Sequence, residues 1–382
     1  MAKIKPRIIA FINSCSQFKT GSDMVFIEIA KRLKDYEMVI VTPSVGKTLC
    51  QNCGLRRKFL LTTQNETPEF GNVIITYIKR TFKALFLKIG VKDGDVLLGA
   101  SDFFTDVLPI LWLKLWHRKK KIKWIQHIFH LIPSSRKIPF YSQRISLFLV
   151  KHWADKVTVD NSLLKDDLVR KFGFNPQKII VNYPGIDLHY LEKIKANKKN
   201  AYDAIFMAQL RPSKGIFDLI KIWSLVCQQK PELKLGIIGR GKKEIVEAMK
   251  KMVKDYDMEK NITFLSYLPD DRAYSMIKSA QVFITPSYEE GFGISMLEAQ
   301  FLGRPVVAWH LPVFDEIFKK GMVKVKVGDL ERFAREVVRL LTDNNFYQKF
   351  SKEAVVNAKQ YDWDKSVRGE EQIFSSLYAN KK

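Results

Sequence analysis

The stretch Gln281-Val-Phe-Ile-Thr-Pro-Ser-Tyr-Glu-Glu-Gly-Phe-Gly-Ile-Ser-Met-Leu-Glu298 passes from an apolar run, through a proline- and glycine-bearing turn, into an amphipathic segment. It reads as a strand over 281–284, a turn from Thr285 to Tyr288, and a helix opening near Phe292 or Gly293. Gly291 and Gly293 let the backbone approach a ligand closely and take dihedral angles closed to other residues. Phe292 and Ile294 lie in the same turn. The N–H groups and positive dipole end of a helix start favour phosphate. Glu290 stands just before that start, where it can accept hydrogen bonds from hydroxyls beside the phosphate. Glu298 lies about two turns along on a nearby face, where a carboxylate can hold a vicinal diol such as ribose.

The same strand-to-helix alternation extends outward in both directions. Apolar runs at Arg7–Ile12, Met38–Val41, Asp95–Leu98, Ile122–Gln126 and Lys156–Val159 precede a polar basic connector, Lys193–Asn200. The pattern then restarts at Asp203–Phe206, Leu233–Ile238, Ile262–Leu265, 281–284 and Pro305–Ala308. Such alternation predicts βαβ units and parallel sheets. A chain of 382 residues with 46% hydrophobic content is too long for one ordinary core and sufficient for two. The expected architecture is therefore α/β, with two doubly wound, Rossmann-like domains facing across a cleft. The expected boundaries are 1–190, 191–360 and a final helix over 361–382. Ligands of open α/β sheets bind beyond the carboxyl ends of the strands, so the useful residues should lie in βα turns.

A second such turn, Leu210-Arg-Pro-Ser-Lys-Gly215, puts Arg211 and Lys214 at a strand end. Two preorganised cations stabilise the charge that develops on a departing diphosphate. Gly239-Arg-Gly241 offers one more tight turn, with Gly239 and Gly241 as close-approach positions. A ligand that has a diol, a diphosphate and a polyhydroxyl group in sequence is a nucleotide sugar.

With these residues the chain resembles the retaining GT-B glycosyltransferases of family 4, the glycosyl transferases group 1. The resemblance rests on Glu290 through Glu298 continuing to Gly303-Arg-Pro-Val-Val307, on Arg211-Pro-Ser-Lys-Gly215, and on Tyr183-Pro-Gly-Ile-Asp187. Thr20-Gly-Ser-Asp-Met24 and Tyr361-Asp-Trp-Asp364 add to it. It implies that Glu290 contacts the transferred sugar, Glu298 the ribose, and Arg211 and Lys214 the diphosphate. It also implies that Gly21 approaches the diphosphate from the N-terminal domain, and that a histidine after an N-terminal strand sits close to the sugar. Lys123-Trp-Ile-Gln-His-Ile-Phe-His130 offers both His127 and His130 on the acceptor side, and His130 is preferred for the catalytic role. The last helix is expected to pack back on the first domain. Two departures stand out: a single glycine, Gly21, in the N-terminal loop, and Trp309-His-Leu-Pro312 in place of a small, glycine-containing segment.

The implied activity is transfer of a sugar from a UDP- or GDP-linked donor to an acceptor hydroxyl with retention, without a cofactor and without a metal. The paired acids Asp93/Asp95, Asp255/Asp257 and Asp362/Asp364 read as turn and cap residues. Four cysteines, with Cys50 and Cys53 the only close pair, make no disulfide framework. The net charge is +24, and residues 1–190 hold 31 Lys+Arg against 15 Asp+Glu, which leaves them +16. Basic runs such as Arg118–Lys123 lie beside aromatic and leucine-rich ones, which fits an anionic membrane leaflet or nucleic acid. With no nucleic-acid recognition motif present, a membrane is preferred, and the acceptor is expected to be a lipid-linked or membrane-associated glycan. The expected place is the cytoplasm, peripherally on a membrane, since no apolar run is long enough to span one. An epimerase or phosphorylase of the same fold, and a nucleic-acid-binding protein, are the alternatives.

Overall fold

The computed structural model describes residues 5–15, 19–64, 73–197 and 202–377. The chain divides into two compact units, Met1–Gly185 with Trp363–Lys382, and Ile186–Asp362. The division at Gly185/Ile186 falls inside Tyr183-Pro-Gly-Ile-Asp187, five residues before the expected 190/191. The basic connector Lys193–Asn200 belongs to the second unit, and its residues 198–200 lie outside the described residues, as do 378–382 of the final segment. Ile186 pairs with Asp362, so the chain enters and leaves the second unit side by side.

The first unit holds seven parallel strands: β1 (Ile8–Phe11), β2 (Met38–Thr42), β3 (Lys58–Leu61), β4 (Val96–Gly99), β5 (Lys123–Ile128), β6 (Lys156–Val159) and β7 (Ile179–Val181). They lie in the order β3-β2-β1-β4-β5-β6-β7, which reverses direction between β1 and β4. The second unit holds β8 (Ala204–Met207), β9 (Leu235–Ile238), β10 (Ile262–Ser266), β11 (Val282–Thr285), β12 (Val306–Trp309) and β13 (Met322–Val325). Their order is β10-β9-β8-β11-β12-β13, with all pairs parallel and the reversal between β8 and β11. Both units are doubly wound α/β sheets, as the GT-B resemblance implies.

The core shows why these runs are strands. Phe206, Ile284, Val307 and Trp309 face one apolar cluster with Trp223 and Phe333. Their neighbours Ile205, Phe283, Val306 and Ala308 face another with Met296, Phe314 and Phe318. Alternate side chains therefore enter opposite cores, and a strand buried on both faces reads as a continuous apolar run.

The helix Trp363–Ser376 belongs to the first unit and packs on the helix Gly21–Arg32. Phe374 meets Tyr36 at 5.4 Å between ring centroids. Gly369 lets the same helix approach the residue after β7, because a Cβ there would sit 2.4 Å from Asn182 Oδ1. Glu370, fully buried, accepts from Asn182 Nδ2 at 3.2 Å and lies 3.2 Å from His127 Nε2.

Candidate functional site

The loops after β8 and β11 leave adjacent strands at the reversal point of the second sheet, and the chain ties them together. Tyr288 N–H donates to Ser213 O at 3.0 Å, and the Tyr288 hydroxyl donates to Asp218. Pro212 opens a single 3-10 turn, Pro212–Lys214, and Gly215 ends it at φ +67°. A Cβ on Gly215 would lie 1.8 Å from Pro286 O, so the two loops touch backbone to backbone. The turn after β9 joins the same group through Leu210 N–H, which donates to Arg240 O at 2.8 Å. A Cβ on Gly239 would meet Ala208 O at 1.9 Å, and one on Gly241 would meet Leu210 O at 2.4 Å. The expected glycine turns are thus demanded by packing of one loop on another.

These contacts bring Lys214 against Glu290. Lys214 Nζ donates to Glu290 Oε1 at 2.5 Å and to Glu289 O at 3.3 Å, with both side chains mostly buried. Arg211 stands three residues before Lys214, and its Nε is buried with no hydrogen-bond acceptor among the described residues. Each of the two stitched loops leads into a helix, Ile216–Gln229 after Gly215 and Ile294–Phe301 after Gly293, and no side chain caps either one. The two loops therefore bring one lysine onto a carboxylate, carry a second cationic side chain, and each end in an uncapped helix start, and such groups are suited to an anion.

Gly293 takes φ +95°, where a Cβ would press on Met296 and Phe318. The helix starts at Ile294, one residue later than expected. Phe292 is buried against Tyr361, with ring centroids 5.5 Å apart, and so belongs to the wall of the turn. Gly291 and Ile294 are half-buried beside it. Glu298 is half-buried, and the Tyr274 hydroxyl donates to its Oε1 at 2.7 Å. Tyr274 is buried, and burial first, then the Glu298 charge, raises its phenol well above the ordinary range, so it remains a donor. The Arg211–Lys214–Glu290 group and the Tyr274–Glu298 pair flank the start of one helix from its two sides in sequence.

In the first unit, Gly21 is the first residue of its helix, with Thr20 and Asp23 forming a capping box. Among the described residues no atom outside its own helix and chain neighbours lies within 4 Å of where its Cβ would be, and its φ is not left-handed. His130 follows β5, and its carbonyl accepts from Gln143 Nε2 at 2.8 Å. The same Gln143 nitrogen donates to Asp102 Oδ2 at 2.5 Å. Burial raises the Asp102 carboxyl above its ordinary range, opposed first by the Gln143 hydrogen bond and then by His130. Burial, then Asp102, raises Asp160 well above its own. His127 is buried and turned to Glu370, which makes it a structural tie between β5 and the last helix and not an open acceptor-side group.

Tyr274, Gln143, Asp102 and Asp160 are the residues that sequence reasoning missed. Asp102 and Asp160 follow β4 and β6 by one to three residues, so the strand-end rule already pointed to them. Tyr274 follows no strand, and nothing local marks it. Among the described residues no group of three or more His, Cys, Asp or Glu side chains could hold a metal ion. Asp93 and Asp95 accept from Lys121 N–H and Lys92 N–H, both at 2.7 Å, and Asp95 also pairs with Arg7.

Residues 191–356, which contain this whole group of loops, match the family described as "glycosyl transferases group 1". That match takes in most of the second unit and less than half of the chain. The chain is 30% identical over 164 residues to a poly(glycerol-phosphate) alpha-glucosyltransferase of Bacillus subtilis, covering 42% of this chain and 24% of that one. It is 24% identical over 246 residues to a D-inositol 3-phosphate glycosyltransferase of Corynebacterium glutamicum, covering 60% and 59% respectively. The chain thus spans less than two-thirds of the length of these relatives. Over the whole fold it resembles Anabaena HepE, solved with UDP and glucose, with TM-score 0.78, 16% identity, and coverage of 97% and 100%. Staphylococcus aureus TarM, solved with UDP among its ligands, aligns with TM-score 0.76 at 13% identity, with coverage of 97% and 100%. These likenesses establish the GT-B fold, and the region matched to the group 1 family carries Arg211, Lys214, Glu290 and Glu298.

Proposed function

We propose that the protein is a glycosyltransferase that moves a sugar from a nucleotide-sugar donor to an acceptor hydroxyl with retention at the anomeric carbon. The observation that carries this reading is the Lys214–Glu290 contact at 2.5 Å beside the unpartnered Arg211 Nε. In the absence of donor, the lysine and the carboxylate neutralise each other. A diphosphate entering between the two helix starts takes up Lys214 and Arg211, and Glu290 is then available to hydroxyls of the transferred sugar. Glu298, oriented by Tyr274, holds the ribose diol. Glu290 thus acts by holding the sugar, and the departing phosphate takes the acceptor proton on the same face.

In the first unit His130 is assigned to the sugar and Gly21 to the diphosphate. The place of Gly21 at a helix start, with no described atom within 4 Å of its would-be Cβ, supports the second assignment. Arg211, Lys214 and the helix starts supply the positive charge, so the mechanism assigns no step to a metal or cofactor. The acceptor is read as a lipid-linked or membrane-associated glycan. Relatives named for poly(glycerol-phosphate), inositol 3-phosphate and O-antigen chains, together with the basic first unit, support it. HepE and TarM structures that hold UDP support a nucleotide-linked donor.

A thermal-shift panel of nucleoside diphosphates and nucleotide sugars tests the donor and needs no acceptor. One base series should raise the melting temperature, and Lys214→Ala should abolish the shift. A protein that responds to none of them has a different substrate.

A further inference from the structure

Three helices of the first unit, Val73–Leu85, Phe104–Trp116 and Lys137–Trp153, pack in that order, each on the next. Each buries one face and leaves large apolar side chains on the other. On the first, Ile75, Ile78 and Phe82 recur at helical spacing, Phe86 continues the stripe just past its end, and Phe82 and Phe86 are 61% and 69% exposed. On the second, Trp112 and Trp116 stack at 5.3 Å, with Trp116 71% exposed. On the third, Tyr141, Ile145 and Phe148 stand out at spacings of four and three. Helices of one layer expose their outer faces to the same side, so these side chains form a shared apolar surface.

The charges on this layer have one sign. The first and third helices contain no Asp or Glu, and the only acid of the second, Asp106, is fully buried. Lys79 and Lys83 border the first stripe, Lys137 opens the third helix, and Arg118, Lys119 and Lys121 follow the second, all exposed. A second copy of this chain would set cation against cation with no acid to offset it. Nucleic acid would match the lysines but leave isoleucine and phenylalanine on a phosphate backbone. An anionic bilayer satisfies both at once, with apolar side chains below the headgroups and lysines among them. No helix among the described residues is long and apolar enough to cross a membrane, so this layer would lie on the surface.

We propose that this three-helix face docks the protein flat on an anionic lipid surface. This deepens the reading of a membrane-presented acceptor and rests on it only for the purpose of docking. The test is flotation of the full chain with vesicles of phosphatidylcholine, with and without phosphatidylglycerol, at physiological salt. The protein is expected to float with the anionic vesicles and to stay behind with the neutral ones. Phe82→Ser with Trp116→Ser should cut the bound fraction about tenfold or more. Lys79→Glu with Lys83→Glu, at exposed positions that fold without strain, should remove the preference for anionic lipid, and nucleoside-diphosphate binding should be unchanged in all variants.

Absence of flotation by the wild-type chain overturns the proposal, as does flotation of both double variants at the wild-type level. A wild-type dimer that the Phe82→Ser/Trp116→Ser variant converts to monomer assigns the face to a second copy and also overturns it. A wild-type chain that turns over donor but does not float with anionic vesicles rejects the docking face alone. Vesicle binding without any nucleotide binding rejects the transfer reading alone.

Discussion

At the scale of single residues, two side chains separate structure from chemistry. Tyr274 has no path to solvent chemistry of its own, yet its hydroxyl fixes Glu298 Oε1 at 2.7 Å. Tyr274→Phe removes one hydrogen bond to a carboxylate and is expected to weaken nucleotide binding about tenfold with little change in kcat. Titration calorimetry with the responding diphosphate checks this, and unchanged affinity would remove Glu298 from the donor site.

Asp106 is the second. Its Oδ1 accepts from Asn13 N–H at 2.6 Å and its Oδ2 lies 2.6 Å from Ser101 Oγ, while burial raises its carboxyl from 3.8 to about 8. Between those values the folded chain keeps a proton that the unfolded chain has lost. This contribution therefore makes stability fall as pH rises through the window, and it levels off above it. Asp106→Asn retains the acceptor and loses the titration, so its melting temperature should fall less between pH 5 and pH 8 than that of the wild type, within the window set by the same two values. Equal slopes in the two proteins would show that Asp106 is already ionised in the fold.

At the scale of elements, the turns carry the site, and they do so through glycines whose reasons differ. Gly215→Ala would place a methyl 1.8 Å from Pro286 O at φ +67°, and the loops after β8 and β11 would have to separate. It should cost well over 1 kcal/mol of stability, on the order of an incompatible Gly→Ala change, and abolish nucleotide binding. Gly21→Ala meets no described atom within 4 Å and should leave the melting temperature unchanged. Denaturant melts of the two variants distinguish these cases, and a stable, nucleotide-binding Gly215→Ala protein would contradict the stitched-loop account.

The same elements show what a sequence displays and what it hides. The buried central strands announce themselves, because both faces are apolar and the run is continuous. The three strands that sequence reasoning passed over, β3, β7 and β13, are all sheet edges with some exposed or half-buried side chains, and Lys58 and Lys324 break the apolar run in β3 and β13. Arg211, Lys214, Glu290 and Glu298 were legible because each lies near a glycine turn or helix start. The partnerships were not: Lys214 meets Glu290 from 76 residues away, and His127 meets Glu370 from 243. Long-range pairs of that kind depend on strand order, which local pattern does not record.

At the scale of the whole molecule, a +24 chain whose first 190 residues hold +16 separates a basic, apolar-faced unit from a unit that carries the turns proposed to bind phosphate. The last helix belongs to the first unit although it follows the second in sequence, held by Glu370 between His127 and Asn182. What unites these parts is the claim that Lys214, Arg211 and Glu290 grip an activated sugar. Release of nucleoside diphosphate from the responding nucleotide sugar, followed in wild type and Glu290→Gln, tests it most directly. The wild type should release diphosphate when acceptor is added. Glu290→Gln, folded and still binding diphosphate, should do so at least about a hundredfold more slowly. Near-normal release by the variant would contradict the account.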